Sequence, residues 1–396
     1  MNYPKRVLLG ITGGIAAYKA PALIRSLRKS GVEVRAILTD AARPLVGTEA
    51  LRVLSDGPVY SDGTPPIHDI EHIRLSEWAD ALLVAPATAN TIAKFAAGIA
   101  DNLLTTTALS LRKPILVAPA MNTAMWDHPA TRRNVETLME LGYRLLPVGS
   151  GPLACGTEGP GRMLDIESIT EQTMLVHARR TLVGKRILLA AGPTVEPLDP
   201  VRVITNRSSG RMGAALAHAA HAMGAEVTAV SGPSSVPIPN MVRNIQVSSA
   251  QDMAKALEQE YPNTDICIMA AAVSDFRPAE YASRKIRRES GGTTIVKLEP
   301  NPDIAAMLGK RKENQFLIGF ALETEDGHER AAEKMNHKGC DMMVHNTVSS
   351  SLDGARSRIT LLYRNHPPEP LPRMHKRDCA YSILVRASQR MGLAYG

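Results

Sequence analysis

Short apolar runs alternate along this chain with longer stretches in which apolar residues recur every three or four positions. Arg6–Ile11, Val32–Leu38, Ala81–Ala85 and Ile115–Ala118 are rich in Val, Ile and Leu and are bounded by Gly, Pro or Thr, the pattern of buried strands. Between them, Ile15–Lys29, Thr88–Ala97 and Thr131–Leu141 carry the helical period. The alternation returns in the second half. Strands are predicted there at Arg186–Ala191, Glu226–Val230, Asp265–Ala270, Gln315–Phe320 and Asp341–His345, and helices at Gly210–Met223 and Glu325–Lys338. Strand–helix alternation of this kind predicts an α/β fold with parallel, doubly wound sheets.

The two halves begin alike. Residues 5–14 read KRVLLGITGG and residues 185–194 read KRILLAAGPT: a charged pair, an apolar run and a glycine-marked turn. A buried strand that ends in a glycine turn opens the nucleotide-binding edge of an open α/β sheet. A chain of 396 residues exceeds one ordinary core. We therefore expect two Rossmann-like domains, residues 1–180 and 181–396, joined near Ala178–Lys185. Ser150–Arg162 contains four glycines and two prolines and reads as neither helix nor strand, hence as a lid or linker. Tyr281–Gly292 is basic, carries two glycines and reads as a mobile loop.

Composition narrows the function classes. Aromatic residues make up only 4% of the chain, too few for the stacking platforms of single-strand nucleic-acid binding. The formal charge of +7 is spread out, with one dense run at Arg284–Arg288, which is compatible with plain solubility or with anionic small-molecule ligands. Cys155, Cys267, Cys340 and Cys379 are far apart in sequence, so neither a zinc knuckle nor a CxxC pair is present. Met1–Arg6 leads directly into a strand, and no uncharged apolar run reaches the ~18 residues needed to span a bilayer. A cytoplasmic protein without membrane or nucleic-acid partners is expected.

Candidate chemistry clusters at the ends of predicted strands. Gly13 and Gly14 offer backbone N–H groups at a helix start, suited to phosphate, with the hydroxyls of Thr12 and Thr39 at the same edge; the alternative is a tight turn without a ligand. In Pro86–Thr91, small residues admit a flat ring while Thr88, Asn90 and Thr91 supply polar partners, or simply cap a helix. Asn122 can donate and accept at a pocket mouth. His72 reads as a base or as a structural histidine, and Cys155 as a proton donor on a flexible loop or as an inert thiol. In the second half, Thr205–Gly213 leads into a helix whose amides Gly210 leaves open to an anion. Lys334 and Lys338 share a helix face without an acid four positions away, which suits a triphosphate better than a salt-bridged surface.

Taken together, these motifs resemble, nearly end to end, the family of bacterial bifunctional coenzyme A biosynthesis enzymes in which a phosphopantothenoylcysteine decarboxylase is fused to a phosphopantothenate–cysteine ligase. GGIAAYK, His72, PATANT, PAMN and LACGTEGPGRM occur in the order of the FMN-binding cysteine decarboxylases. AGPTVEPLDPVR, TNRSSGRMG, AAVSDFRP, KIRR, NPDI and GFALET occur in the order of the ligase. The resemblance implies FMN contacts at Gly13, Gly14, Thr39, Thr88, Asn90 and Thr91. It implies CTP contacts at Ala270, Ala271, Asp275, Lys285, Asn301, Pro302, Asp303, Ile304, Phe320, Lys334 and Lys338.

The same resemblance implies the chemistry. In the first domain FMN would oxidise the substrate thiol to a thioaldehyde, the β-carboxylate would leave as CO₂, and the enethiol would be reduced back. His72 would act as base, Asn122 would hold the carboxylate and Cys155 would supply the final proton. In the second domain CTP and Mg²⁺ would convert 4′-phosphopantothenate to an acyl-cytidylate, which the amine of cysteine attacks. Asn206 would handle the acyl-cytidylate and Lys285 would serve cysteine attack and nucleotide contact. Metal ligands are not implied. Trimers of the first domain and dimers of the second, together a dodecamer, are the family assembly. Thr12 replaces the family's serine, KIRR replaces KxKK, and the segment after about Tyr363 matches least and is given no role. Two rivals stand beside this reading: an NAD(P)-dependent oxidoreductase using Asp40, against which the glycine spacing argues, and a non-enzymic flavoprotein subunit.

Overall fold

The computed structural model describes residues 3–55, 57–62, 70–152, 156, 158–286, 295–323, 327–347 and 354–393. The chain divides into two units, Met1–His177 and Ala178–Gly396.

In the first unit six parallel strands lie in the order Val59–Tyr60, Glu33–Leu38, Arg6–Ile11, Ala81–Ala87, Ile115–Pro119 and Arg144–Leu145. The order reverses between Arg6–Ile11 and Ala81–Ala87, the switch point where doubly wound sheets bind ligands. Ala81–Ala87 is buried along its whole length because helices cover both sheet faces, which is why its sequence is uniformly apolar or small. Leu8, Leu82, Val84 and Val117 pack there against Leu75, Ile92, Phe95, Leu104 and Leu138 from the helices.

Two expectations for this unit are corrected. Ile15–Lys29 is not one helix: a 3₁₀ turn covers Ile15–Lys19 and the α-helix covers Ala20–Lys29. Pro21 has no N–H to donate back into the preceding turn but is well placed in the first turn of a new helix. Ser150–Arg162 is not irregular throughout: Gly149–Pro152 pairs antiparallel with Glu158–Arg162. The hairpin needs its glycines for the backbone, since Gly161 has a φ of +128° and a Cβ there would lie 2.4 Å from the Met121 carbonyl oxygen.

The second unit repeats the plan. Parallel strands run in the order Arg243–Gln246, Glu226–Ser231, Arg186–Ala191, Ile266–Met269, Phe316–Glu323 and Met342–Thr347. Ile359–Tyr363 and Glu369–Pro370 extend this sheet antiparallel. Leu188, Cys267 and Leu317 of the sheet pack against Met253, Leu257, Leu308, Ala331 and Met335. The C-terminal helix Lys376–Arg390 packs on Arg211–Ala222. Two antiparallel ribbons, Val195–Pro197 with Val203–Thr205 and Phe276–Pro278 with Leu298–Pro300, stand apart from the main sheet. The α/β, doubly wound reading holds in both units.

Candidate functional site

In the first unit, two turns at the switch point are stitched together by one side chain. The Thr12 hydroxyl donates to the Pro86 carbonyl at 2.8 Å and accepts the Thr88 N–H at 3.0 Å. Thr12 is buried, so this hydroxyl builds the frame rather than meeting a ligand, contrary to the sequence expectation. Gly13 is likewise a packing residue: a Cβ would lie 2.5 Å from the Ala41 Cβ. Gly14 faces the space between the turns, where a Cβ would sit 3.5 Å from Thr88 Cγ2 and 3.8 Å from the Ala120 carbonyl oxygen. Its N–H donates to the Thr12 carbonyl at 2.8 Å, so the bare-amide role expected of the turn does not fall to Gly14.

This space opens into a cavity of about 560 Å³ whose walls include Gly14, Ile15, Tyr18, Thr88, Met121 and Asn122. Its volume falls within the usual range for small-molecule sites, and its mostly apolar walls suit a flat ring. The hairpin closes one side, held by the Met121 N–H donating to the Gly161 carbonyl at 2.9 Å. Asn122 caps the short helix Thr123–Asp127, its Oδ1 accepting the Ala124 N–H at 2.8 Å. Lys19 and Arg162 add two cations to the wall. Burial, reinforced by the Arg162 charge and opposed by Asp165, pulls the Lys19 ammonium below its ordinary pKa.

The structure brings Gly13, Gly14, Thr88 and Asn122 to this cavity. Other expected residues lie apart. The Thr39 hydroxyl donates to the Ile11 carbonyl at 3.2 Å, Asn90 is exposed, and Thr91 is buried with its N–H on the Thr88 hydroxyl at 3.3 Å. His72, on the helix Glu71–Trp78, opens on a different cavity of about 340 Å³ with Ser61, Asp62, Asp101 and Asn102. Cys155 lies outside the described residues.

In the second unit the loop after Ile266–Met269 is the hub. Ala270 and Ala271 line a cavity of about 190 Å³ with Gly210, Arg211 and Phe320. The Asn206 amide donates to the carbonyls of Ala272 at 3.3 Å and Val273 at 3.0 Å, which places it at the rim of the same loop. The Asn301 N–H donates to the Asp275 carbonyl at 2.8 Å, and the Asn301 side-chain amide to the Ser274 carbonyl at 2.9 Å. Pro302 follows, then Asp303, which caps the helix Ile304–Lys310 by accepting the Ala306 N–H at 3.1 Å.

Lys338 requires a correction. It pairs with Asp303 at 3.3 Å, so the absence of an acid four positions away does not leave it without one. Helical spacing reveals only local partners, whereas this one comes from a distant loop. Lys334 lies one turn earlier and accepts the Lys338 N–H on its carbonyl at 3.0 Å. Lys285 is exposed, and the next residue, Ile286, is anchored to Asp199. Asn346 and Lys376 also line the cavity, and neither stood out in the sequence: one lies in a strand, the other in the segment given no role. Among the described residues no group of three or more His, Cys, Asp or Glu is placed to hold a metal ion, and no helix is long and apolar enough to cross a membrane.

Comparison with known proteins agrees with this division. Residues 1–176 match the flavoprotein family, and residues 182–391 match the DNA/pantothenate metabolism flavoprotein C-terminal domain. The chain is 41% identical to the coenzyme A biosynthesis bifunctional protein CoaBC of Bacillus subtilis, covering 96% of each sequence. It is 42% identical to the protein of the same name from Vibrio cholerae, covering 98% of each. A crystal structure of the C-terminal domain of a CoaBC protein aligns with 39% identity and a TM-score of 0.47, covering 54% of this chain and 98% of that one. With a flavoprotein domain followed by a pantothenate-metabolism domain, and with relatives of this identity over nearly its whole length, the chain belongs to the family of bifunctional coenzyme A biosynthesis proteins.

Proposed function

We propose that the second unit couples 4′-phosphopantothenate to cysteine with CTP and Mg²⁺, and that the first unit decarboxylates the resulting 4′-phosphopantothenoylcysteine to 4′-phosphopantetheine with FMN. One relationship carries the reading. Each sheet opens at the carboxyl ends of its central strands onto a cavity, and the two differ in character: one is large and mainly apolar, the other small and cationic.

The first cavity fits a flavin. Gly14 leaves a cradle that a Cβ would occupy, Thr88 and Asn122 bring polar groups to its edge, and Met121 and Ile15 supply apolar wall. Bound FMN supplies reversible two-electron oxidation of the substrate's thiol-bearing carbon, which turns the neighbouring carboxylate into a leaving group. Asn122, fixed by its cap bond, holds that carboxylate, and Cys155 returns the final proton. His72 serves as the base. Because it opens on a different cavity in one copy, we assign it to the site of a neighbouring copy in a trimer of the first unit. A positioned acid or base contributes roughly 10²–10⁴ in rate.

In the second unit the substrate carboxylate attacks the α-phosphorus of CTP and pyrophosphate leaves. The amine of cysteine then attacks the acyl carbon and CMP leaves. Activation is needed because a free carboxylate is a poor electrophile. Asn206, Lys285 and the Ala270–Asp275 loop face this chemistry, with Asn301, Asp303, Phe320, Lys334 and Lys338 around the nucleotide. We place the enzyme in the cytoplasm as a homo-oligomer, with the second unit pairing as dimers.

Two assays separate the halves. Purified protein is expected to be yellow with bound flavin and to release CO₂ from 4′-phosphopantothenoylcysteine. It is also expected to form that compound from its precursors only when CTP is added. A colourless, folded protein that changes nicotinamide absorbance instead would overturn the reading.

A further inference from the structure

The two units fix their switch points with the same pair of bonds. In the first, Thr12 follows the strand Arg6–Ile11; its N–H donates to the Pro86 carbonyl at 3.3 Å, and its hydroxyl accepts the Thr88 N–H at 3.0 Å. In the second, Thr194 follows the strand Arg186–Ala191; its N–H donates to the Ala272 carbonyl at 3.3 Å, and its hydroxyl accepts the Ser274 N–H at 2.9 Å. In each case the partner turn leaves the adjacent parallel strand, Ala81–Ala87 or Ile266–Met269. Thr194 is fully buried, so its hydroxyl meets protein and not a ligand. Its carbonyl also accepts the Thr205 hydroxyl at 2.7 Å, and Thr205 directly precedes Asn206. The Asn206 amide returns to the Ala272 carbonyl, the same oxygen that takes the Thr194 N–H. One buried residue thereby ties the Ala270–Asp275 loop to the segment that carries Asn206. Reacting groups keep their geometry only when such supporting bonds hold them from behind.

We propose that Thr194 is a positioning residue of the ligase site: through Ala272, Ser274 and Thr205 it sets Asn206 against the loop that faces the activated substrate. The role rests on the ligase reading above, and Thr194 itself touches no substrate. The acyl-cytidylate is a reactive mixed anhydride, so an amide and a loop held in register keep it for the cysteine amine. When they drift, water attacks the acyl carbon instead, CMP leaves and 4′-phosphopantothenate is regenerated. Pyrophosphate is then released without an amide being formed. Valine keeps the branched shape of threonine and removes the hydroxyl, which leaves the Ser274 N–H buried without that acceptor; the loop relieves this cost by moving. Serine keeps the hydroxyl.

The test uses the full chain with T194V, T194S and T205V. Wild-type coupling of 4′-phosphopantothenate to cysteine with CTP establishes the ligase reading first; if it is absent, that reading fails irrespective of Thr194. With it present, T194V is expected to lower kcat for amide formation about ten- to hundredfold, the cost of misplacing a reacting group by about an ångström. Pyrophosphate is expected to exceed amide in T194V, whereas wild type releases the two in equal amounts. T194S is expected to recover most of the rate and the equal stoichiometry, and CO₂ release by the first unit to stay unchanged throughout. If T194V does not fold, T205V takes its place in the same comparison: it removes the bond on the Asn206 side at an exposed residue and is expected to shift rate and stoichiometry in the same direction. Amide formation at the wild-type rate, or a slower rate with pyrophosphate and amide still equal, would overturn the proposal.

Discussion

Asp199 accepts the backbone N–H of Ile286 at 3.1 Å, so a buried carboxylate holds the chain directly beside Lys285. The same carboxylate takes the N–H groups of Val201 and Arg202, both at 2.8 Å, and the Arg202 guanidinium at 2.5 Å, while Arg202 also donates to the Ile286 carbonyl at 2.7 Å. Burial works against the charged form, but Arg202 and the backbone amides outweigh it and hold Asp199 well below the usual carboxylate range. The ionised form is thus favoured by folding. Its contribution is complete above the unfolded carboxyl pKa of about 3.9 and is lost only as the pH falls through the lower folded value.

Asp199→Asn is therefore expected to loosen the segment at Lys285. Steady-state assays should show ligase kcat reduced about tenfold or more, in line with loss of a positioned group, with CO₂ release by the first unit unchanged. Ligase kinetics equal to wild type would mean that this anchor does not position Lys285.

Gly161→Ala places a Cβ against the Met121 carbonyl at 2.4 Å and a side chain on a φ of +128°. Strain of this kind costs on the order of 1–3 kcal/mol, and here it acts on the contact between the hairpin and the cavity wall. The variant is expected to lose flavin on gel filtration while its ligase rate persists. Retention of flavin with full decarboxylase activity would show that the hairpin does not shape the cavity.

His72 and Asn122 open on different cavities of the same chain. If neighbouring copies supply them to one site, His72→Ala and Asn122→Ala proteins are each inactive as decarboxylases. Mixing them under conditions that exchange subunits is expected to restore a fraction of the activity. A mixture as inactive as its components would place both residues in one copy's site or remove one of them from the chemistry.

Arg6–Ile11 and Arg186–Ala191 were legible to the residue because a doubly covered parallel strand must be apolar or small beyond its first position, where each arginine stays outside the core. The glycine-rich Ser150–Arg162 hairpin was not, since glycine's composition signal is the same in a loop and in a ribbon that approaches another backbone closely. At the first unit's cavity, Gly14, Thr88 and Asn122 were readable from strand-end position as lining residues. The framing role of Thr12 was not, because its partners at Pro86 and Thr88 come from another strand's turn. Asp303 as the partner of Lys338, and Lys376 as a cavity residue, were hidden for the same reason: both depend on contacts between segments far apart in sequence.

Cys267, Cys340 and Cys379 are buried, and burial raises all three thiols, Cys340 to about 11 and Cys379 to about 12. Thiolate is the reactive form, so these groups are expected to be inert towards a disulfide reagent at neutral pH. Titration of native protein should give at most one equivalent, from Cys155, and unfolded protein all four. More than one fast thiol in the native protein would contradict the burial described above.

The most direct test is a single incubation of pure protein with 4′-phosphopantothenate, cysteine, CTP and Mg²⁺, followed by mass spectrometry. 4′-Phosphopantetheine is expected to appear, with CMP, pyrophosphate and CO₂ released in equal amounts and 4′-phosphopantothenoylcysteine as the transient precursor. Unconsumed 4′-phosphopantothenate in the presence of folded, flavin-bearing protein would contradict the proposed function.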